Sequence, residues 1–170
     1  MNRHYTTEDY LRRCGILRKW FDHPAITTDV IVGFPGETQE EFEITREFLK
    51  KVHFYEMHVF KYSKRAGTRA AVMPDQVPEQ VKGRRSDVLL ELEASMSREY
   101  REHFIGSSVW VLFEDMAEVE GRKYIIGHTP QYVKAALAVK DGEENRLSGQ
   151  ILYLKAAGLL GGDLLEVGWQ

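Results

Sequence analysis

Two stretches of this chain carry residue types and spacings suited to chemistry. The first is Gly33-Phe34-Pro35-Gly36-Glu37, in which two glycines bracket an aromatic ring and a proline and a carboxylate follows. Glycine admits positive φ angles and lets a ligand come close to the main chain, whereas Pro35 fixes φ and gives up an N–H. A phosphate cradle needs free amides at a positive helix end, so Pro35 and the acidic Glu37 argue against one. A ligand with ribose hydroxyls or positive charge suits the carboxylate better. The residues leave a second reading open, a tight connection in which Glu37 only complements a helix dipole. The second stretch runs from Lys61 to Arg69. It holds Lys61, Lys64, Arg65 and Arg69 with no acid, next to Phe60 and Tyr62. Cations attract phosphates and aromatic faces hold unstacked bases, so this loop suits RNA, with a solvated surface loop as the alternative.

The first stretch needs a strand before it and a helix after it. Val30-Ile31-Val32 is an unbroken β-branched run, expected of a parallel strand covered on both faces. Thr38 and Glu41 form a capping box that starts a helix near Gln39, with Phe42, Thr45, Leu49 and Val52 on its inner face and Phe48 alongside. Upstream, Thr6 and Asp9 cap a helix whose apolar face is Tyr10, Cys14, Leu17 and Phe21. A second strand is expected at about 54 to 61, and Pro78 opens a helix reaching about His103 with Val81, Val88, Leu89, Leu92, Met96 and Tyr100 as its stripe. The dense charges of that helix read as a solvated outer face. Beyond Gly106 the pattern alternates with period two. Val109, Val111 and Phe113 oppose Trp110 and Leu112, a Glu120-Gly121 turn follows, and Tyr124 to Ile126, Val133 to Val139, Ile151 to Lys155 and Leu164 to Val167 complete about five short strands, with breaks at Asp141-Gly142 and Gly161-Gly162-Asp163. That count in some 65 residues predicts a small closed barrel of the oligonucleotide-binding size class. The expected divisions are 1–77, a helix over 78–103 and a barrel over 104–170.

Thr27 to Thr38, Tyr62 to Ala70 and Met73-Pro74-Asp75-Gln76-Val77-Pro78, in that order, resemble the C-terminal half of radical S-adenosylmethionine (SAM) methylthiotransferases. Gly127-His128-Thr129-Pro130-Gln131-Tyr132-Val133 is similar to the centre of their TRAM domain. The resemblance implies an α/β fold, the last part of a partial (β/α) radical SAM barrel followed by a small all-β TRAM barrel, and a parent enzyme that adds a methylthio group to an adenosine beside the tRNA anticodon. Lys64 and Arg69 stand where many relatives have proline, a pattern similar to the branch acting on N6-threonylcarbamoyladenosine; the isopentenyladenosine branch and the ribosomal-protein branch are alternatives. It further implies SAM at Gly33, Phe34, Pro35, Gly36 and Glu37, and tRNA at Lys61, Lys64, Arg65 and Arg69 and, on the barrel, at Tyr124, His128, Tyr132 and Lys134. In the parent this segment follows a cluster-binding Cys-x-x-x-Cys-x-x-Cys loop and another N-terminal domain, neither of which these residues contain, so the parent's two four-iron four-sulfur clusters, a catalytic residue, a metal site and a tightly bound cofactor are not expected in this chain, and the chain alone is expected to be inactive. A stand-alone RNA-binding module without catalysis is the competing reading.

Composition narrows the classes. The chain has 170 residues, 43% of them hydrophobic, and a formal net charge of -3, so it is not a globally basic nucleic-acid binder. Residues 1–103 balance 17 cations against 17 acids and residues 104–170 carry 6 against 9, so any RNA contact must be local. One cysteine, Cys14, excludes an internal disulfide or a cysteine-ligated cluster within one chain. There are no dinucleotide-binding glycines, P-loop lysine or nucleophile elbow. No stretch approaches the roughly 20 apolar residues of a membrane span, and charges occupy the N-terminus where a signal peptide is apolar, so a cytoplasmic location is expected. Two parallel strands cannot complete a sheet, so the exposed edge is expected to promote self-association.

Overall fold

The computed structural model describes residues 4–140 and 144–169, and its contacts divide the chain into two units, up to Ser97 and from Arg98. In the first unit α1 (Thr7–Trp20), β1 (Thr27–Val32), α2 (Gln39–Val52) and β2 (Glu56–Lys61) follow one another, and α3 (Glu79–Glu102) begins there and ends in the second unit. The capping boxes form as the side-chain spacing dictates. The Thr6 hydroxyl accepts the Asp9 N–H, the Thr38 hydroxyl accepts the Glu41 N–H, and each carboxylate accepts the N–H of its cap residue in return.

β1 and β2 pair in parallel, with Val30 opposite Val59 and Ile31 opposite Phe60. One face of this pair is covered. Val30, Val32 and Met57 join Cys14 of α1, Phe42, Leu49 and Val52 of α2 and Leu89 and Met96 of α3 in one core. Burial among these apolar groups pushes the Cys14 thiol pKa up. The other face is open, with Asp29, Ile31, His58 and Phe60 all exposed. The β-branched run thus alternates in and out, and the expectation of cover on both faces does not hold, because no described element packs over Ile31 and Phe60. In α1, Tyr10 and Cys14 face the core, but Leu17 and Phe21 are exposed. The helix stops at Trp20, and Phe21 is already extended.

The second unit is a closed barrel in the order β3-β4-β5-β7-β6, made by β3 (Ser108–Val119), β4 (Arg122–His128), β5 (Lys134–Ala138), β6 (Ile151–Leu160) and β7 (Leu164–Gly168), with a short helix α4 (Glu144–Leu147) before β6. Closure removes every sheet edge. Val111, Phe113, Ile125, Ala135, Leu154 and Leu165 fill the interior. The β3–β4 hairpin turns at Glu120 and Gly121, both at positive φ, the pair of angles that a two-residue primed turn needs. β3 carries a bulge between Phe113 and Asp115, and there Gly127 comes so close that an added Cβ would stand 2.1 Å from the Leu112 carbonyl oxygen. The Asp141-Gly142 break lies outside the described residues. The α/β portion followed by a small all-β barrel is the fold class the sequence leads one to expect.

Candidate functional site

The turn after β1 is held by backbone amides that find acceptors within the protein. Pro35 and Gly36 are the central residues of a β-turn in which the Glu37 N–H donates to the Phe34 carbonyl at 2.9 Å, and Gly36 sits at φ +85, the geometry of a type II turn. The Gly36 N–H donates to the Asp75 carbonyl at 2.9 Å, and the Gly33 N–H donates to the Glu37 carboxylate at 2.6 Å. These three amides are therefore spent inside the protein, which leaves them unable to cradle a phosphate.

Glu37 does not stand alone. Its Oε2 also accepts from Arg85 Nη1 at 2.6 Å, and the same nitrogen donates to the Glu37 carbonyl at 3.1 Å. Both side chains are largely buried, Arg85 with only 5% of its side chain exposed. Gly33, at φ +73, faces Lys82, whose Cγ would lie 2.3 Å from an added Cβ. Lys82 is buried, and its Nζ donates to the Tyr62 carbonyl at 3.0 Å and to Glu79 at 2.6 Å. That ammonium holds the Glu79 carboxyl below the ordinary carboxylate range. Lys82 and Arg85 belong to the charges expected to be a solvated outer face, and here the expectation fails. They occupy the same stripe as Leu89, Leu92 and Met96, spaced three and four residues apart, and that periodicity is the signal that could have found them.

Phe34 lies between two depressions. One, of about 540 Å³, is lined by Asp29, Ile31, Phe34, Pro35, Gly36, Glu37, Glu41, Thr45 and Met73, so its charges are acidic. The other, of about 420 Å³, is lined by Ile31, Phe34, Phe60, Tyr62 and Ala70 with Lys61 and Arg65, so its charges are basic. Phe34 meets Tyr62 edge-on with centroids 5.4 Å apart. The glycine-bracketed turn and the basic loop, separate in the sequence, thus share one aromatic wall. Lys61, Lys64, Arg65 and Arg69 are all exposed, and among the described residues no ion pair engages Lys64, Arg65 or Arg69. The Thr68 hydroxyl donates to the Arg65 carbonyl at 2.8 Å and orders the loop before a short 3₁₀ turn at Arg69–Val72.

On the barrel, the β4–β5 connection places His128, Tyr132 and Lys134 together. The Thr129 N–H donates to the Val133 carbonyl and the Tyr132 N–H to the Thr129 carbonyl, both at 2.9 Å, which forces Tyr132 to φ +65. Its ring then stacks on His128 with centroids 4.7 Å apart and an interplanar angle of 26°. Glu114 hydrogen-bonds His128 Nδ1, so the imidazole is oriented from behind while Tyr132 stays 72% exposed. Lys134 pairs with His128 across the strands and is exposed. Tyr124 does not join them. It is only 2% exposed, which leaves no ring face for a base, and it is corrected here to a packing residue. An exposed pair that the sequence reading did not single out, Trp110 and Tyr153, lies across β3 and β6 with centroids 4.9 Å apart.

Sequence comparison supplies what geometry does not. Over 156 residues, 91% of this chain, it is 41% identical to the threonylcarbamoyladenosine tRNA methylthiotransferase MtaB of Bacillus subtilis, and over 155 residues it is 39% identical to a tRNA-2-methylthio-N(6)-dimethylallyladenosine synthase of Carboxydothermus hydrogenoformans. A synthase of the latter name from Acetivibrio thermocellus is 46% identical over 122 residues, 72% of this chain. The chain belongs with the methylthiotransferases. It spans 25% to 34% of the length of these curated relatives, matching their C-terminal region. No protein-family model matches it. Among the described residues of this methylthiotransferase segment, no cluster of His, Cys, Asp and Glu could hold a metal ion, and no helix is long and apolar enough to cross a membrane.

Proposed function

We propose that this chain is the substrate-binding end of a radical SAM tRNA methylthiotransferase, comprising the last part of the SAM barrel over 1–77, a connecting helix over 78–103 and a TRAM barrel over 104–170. The observation that carries this reading is the division of charge on either side of Phe34. The depression with Asp29 and Glu41 suits a cationic nucleoside such as SAM, with Glu37, whose charge Arg85 balances, as a hydrogen-bond acceptor and Phe34, Ile31 and Met73 as apolar walls. The depression with Lys61 and Arg65 suits a tRNA phosphate beside a base held by Phe60 and Tyr62. Lys64 and Arg69 extend the basic track, and His128, Tyr132 and Lys134 offer a second contact on the barrel.

When bound in the parent, SAM and two iron–sulfur clusters supply radical chemistry and sulfur. The residues of this chain fit SAM but not a cluster, since Cys14 is the sole cysteine and is buried, and no step is assigned to one here. What these residues do is bind, orient and neutralise. Support for N6-threonylcarbamoyladenosine as the nucleoside comes from Lys64 and Arg69 and from the relative of that name, while other relatives are named for dimethylallyladenosine.

Removing charge at Lys64, Arg65 and Arg69 together should weaken tRNA binding and flatten its salt dependence by roughly one unit of slope per lost phosphate contact, with SAM affinity by calorimetry unchanged. Wild-type tRNA affinity in that triple alanine variant would move the RNA site elsewhere. Nucleoside mass spectrometry on tRNA from cells lacking the gene should show threonylcarbamoyladenosine without its methylthio group; loss at dimethylallyladenosine instead would reassign the branch.

A further inference from the structure

We propose that Arg85 and Lys82 are positioning residues that set the shape of the Gly33–Glu37 turn and of the aromatic wall beside it, and that Glu37 serves as the anion that receives Arg85 rather than as a group directed at a ligand's charge. The proposal deepens the SAM-side reading of that turn and rests on it for the ligand. Three observations converge on it. First, Arg85 Nη1 bridges the carboxylate and the carbonyl of one residue, Glu37, and the same carboxylate oxygen takes the Gly33 N–H. The two ends of the turn are therefore tied through a single atom. Second, the Lys82 stem occupies the hollow that the missing Cβ of Gly33 leaves, while its ammonium reaches the Tyr62 carbonyl just past β2. Two cations three residues apart on one helix face thus hold the loops at the ends of both strands. Third, the residues beside those anchors are Phe34, which lines both depressions, and Tyr62, which meets it edge-on and lines the basic one.

Burial explains why the arrangement is more than a support for the fold. A buried ion pair adds little net stability against a well-packed apolar pair of similar volume, whereas its directional bonds fix one geometry among several. Glu37 is neutralised where it stands, so its carboxylate offers a ligand a hydrogen-bond acceptor without an unbalanced charge. The positive φ of Gly33 and Gly36 makes the turn one that few residue types adopt, and the bonds from α3 hold it there.

The test compares Arg85→Met, Arg85→Lys, Glu37→Gln and the double variant Arg85→Met/Glu37→Gln in this chain. Hydrogen exchange at the Gly33 amide reports the turn directly, and calorimetry with SAM reports the site. In Arg85→Met the Gly33 amide should exchange about tenfold faster while amides of β1 that face β2 keep their protection, a split that global destabilisation would not produce. Arg85→Lys should restore part of that protection. SAM affinity should fall about tenfold in Arg85→Met and by a similar factor in Glu37→Gln, and the double variant should lose no more than either single change, because both act through one contact. Gly33 exchange at the wild-type rate in folded Arg85→Met or Arg85→Lys would overturn the proposal, as would affinity losses that multiply in the double variant. If Arg85→Met does not fold, Arg85→Lys carries the exchange measurement. If the wild-type chain binds no SAM, the ligand reading falls while the exchange data still decide whether Arg85 sets the turn.

Discussion

The barrel closes on itself, whereas the parallel pair β1–β2 has one neighbour per strand and one open face. In the barrel the apolar interior and the backbone ladder build a finished sheet, and His128, Tyr132 and Lys134 sit on its rim, with Glu114 next to the imidazole. In the first unit the ladder ends after two strands. There the turn that carries Phe34 is placed by buried cations reaching in from α3. The difference teaches that a closed sheet needs only short-range bonds beside its rim to aim a side chain, while an open one draws on buried charges from a distant helix at its strand ends.

Three substitutions would break or sharpen that contrast. The largest effect is expected for Gly127→Ala, because the new methyl group meets main-chain atoms of Leu112 and Phe113 that have no side-chain freedom to yield. About 3 kcal/mol of barrel stability should be lost, read by chemical denaturation, with the first unit unaffected. A loss below about 1 kcal/mol would mean that β3 relaxes at its bulge. Next comes Glu37→Gln, which leaves the buried Arg85 guanidinium with an amide in place of an anion. About 2 kcal/mol of stability in the first unit should be lost, since removing one partner strands the other charge. An unchanged melting temperature would show that Arg85 finds another acceptor. The smallest effect belongs to Gly36→Ala. No atom lies within 4 Å of the new Cβ, so only the positive φ is penalised, at about 1 kcal/mol. A larger loss would show that the turn cannot shift toward neighbouring angles.

The open edges carry a further consequence for solution behaviour. Unpaired N–H and C=O groups along the outer sides of β1 and β2 template further strand pairing, which is why self-association is proposed for this chain. Analytical ultracentrifugation across a concentration series should then show mass rising with concentration, and a monomer throughout would set the idea aside.

Local features were legible in the sequence because their partners lie three or four residues away. Thr6 with Asp9 and Thr38 with Glu41 specified both helix starts, and Glu120-Gly121 specified a hairpin turn. The alternation through Val109, Val111 and Phe113 made the barrel readable, since β3 buries one face and leaves the other wet over those residues. Distance in the chain defeated the rest. Arg85 meets Glu37 48 residues away and Lys82 meets the Tyr62 carbonyl 20 residues away, so composition gave their charges to the solvent. Ile31 was assigned cover because a β-branched run records hydrophobicity but not how many layers surround it. Tyr124 was offered to RNA by its type, although its neighbours in β4 and β5 bury it.

Gly127 does more than tolerate a close approach. Its neighbours Ile126 and His128 both carry a Cβ, so sliding β4 by one residue along β3 would bring a carbon atom into the space beside the Leu112 carbonyl. The glycine therefore acts as an index mark that permits a single alignment of the two strands. Because successive side chains point to opposite faces, a slip of one would also turn His128 inward and carry Ile125 toward water. The outward address of the imidazole, opposite Leu112 on one side and Lys134 on the other, is written by the hydrogen atom that its neighbour carries in place of a side chain.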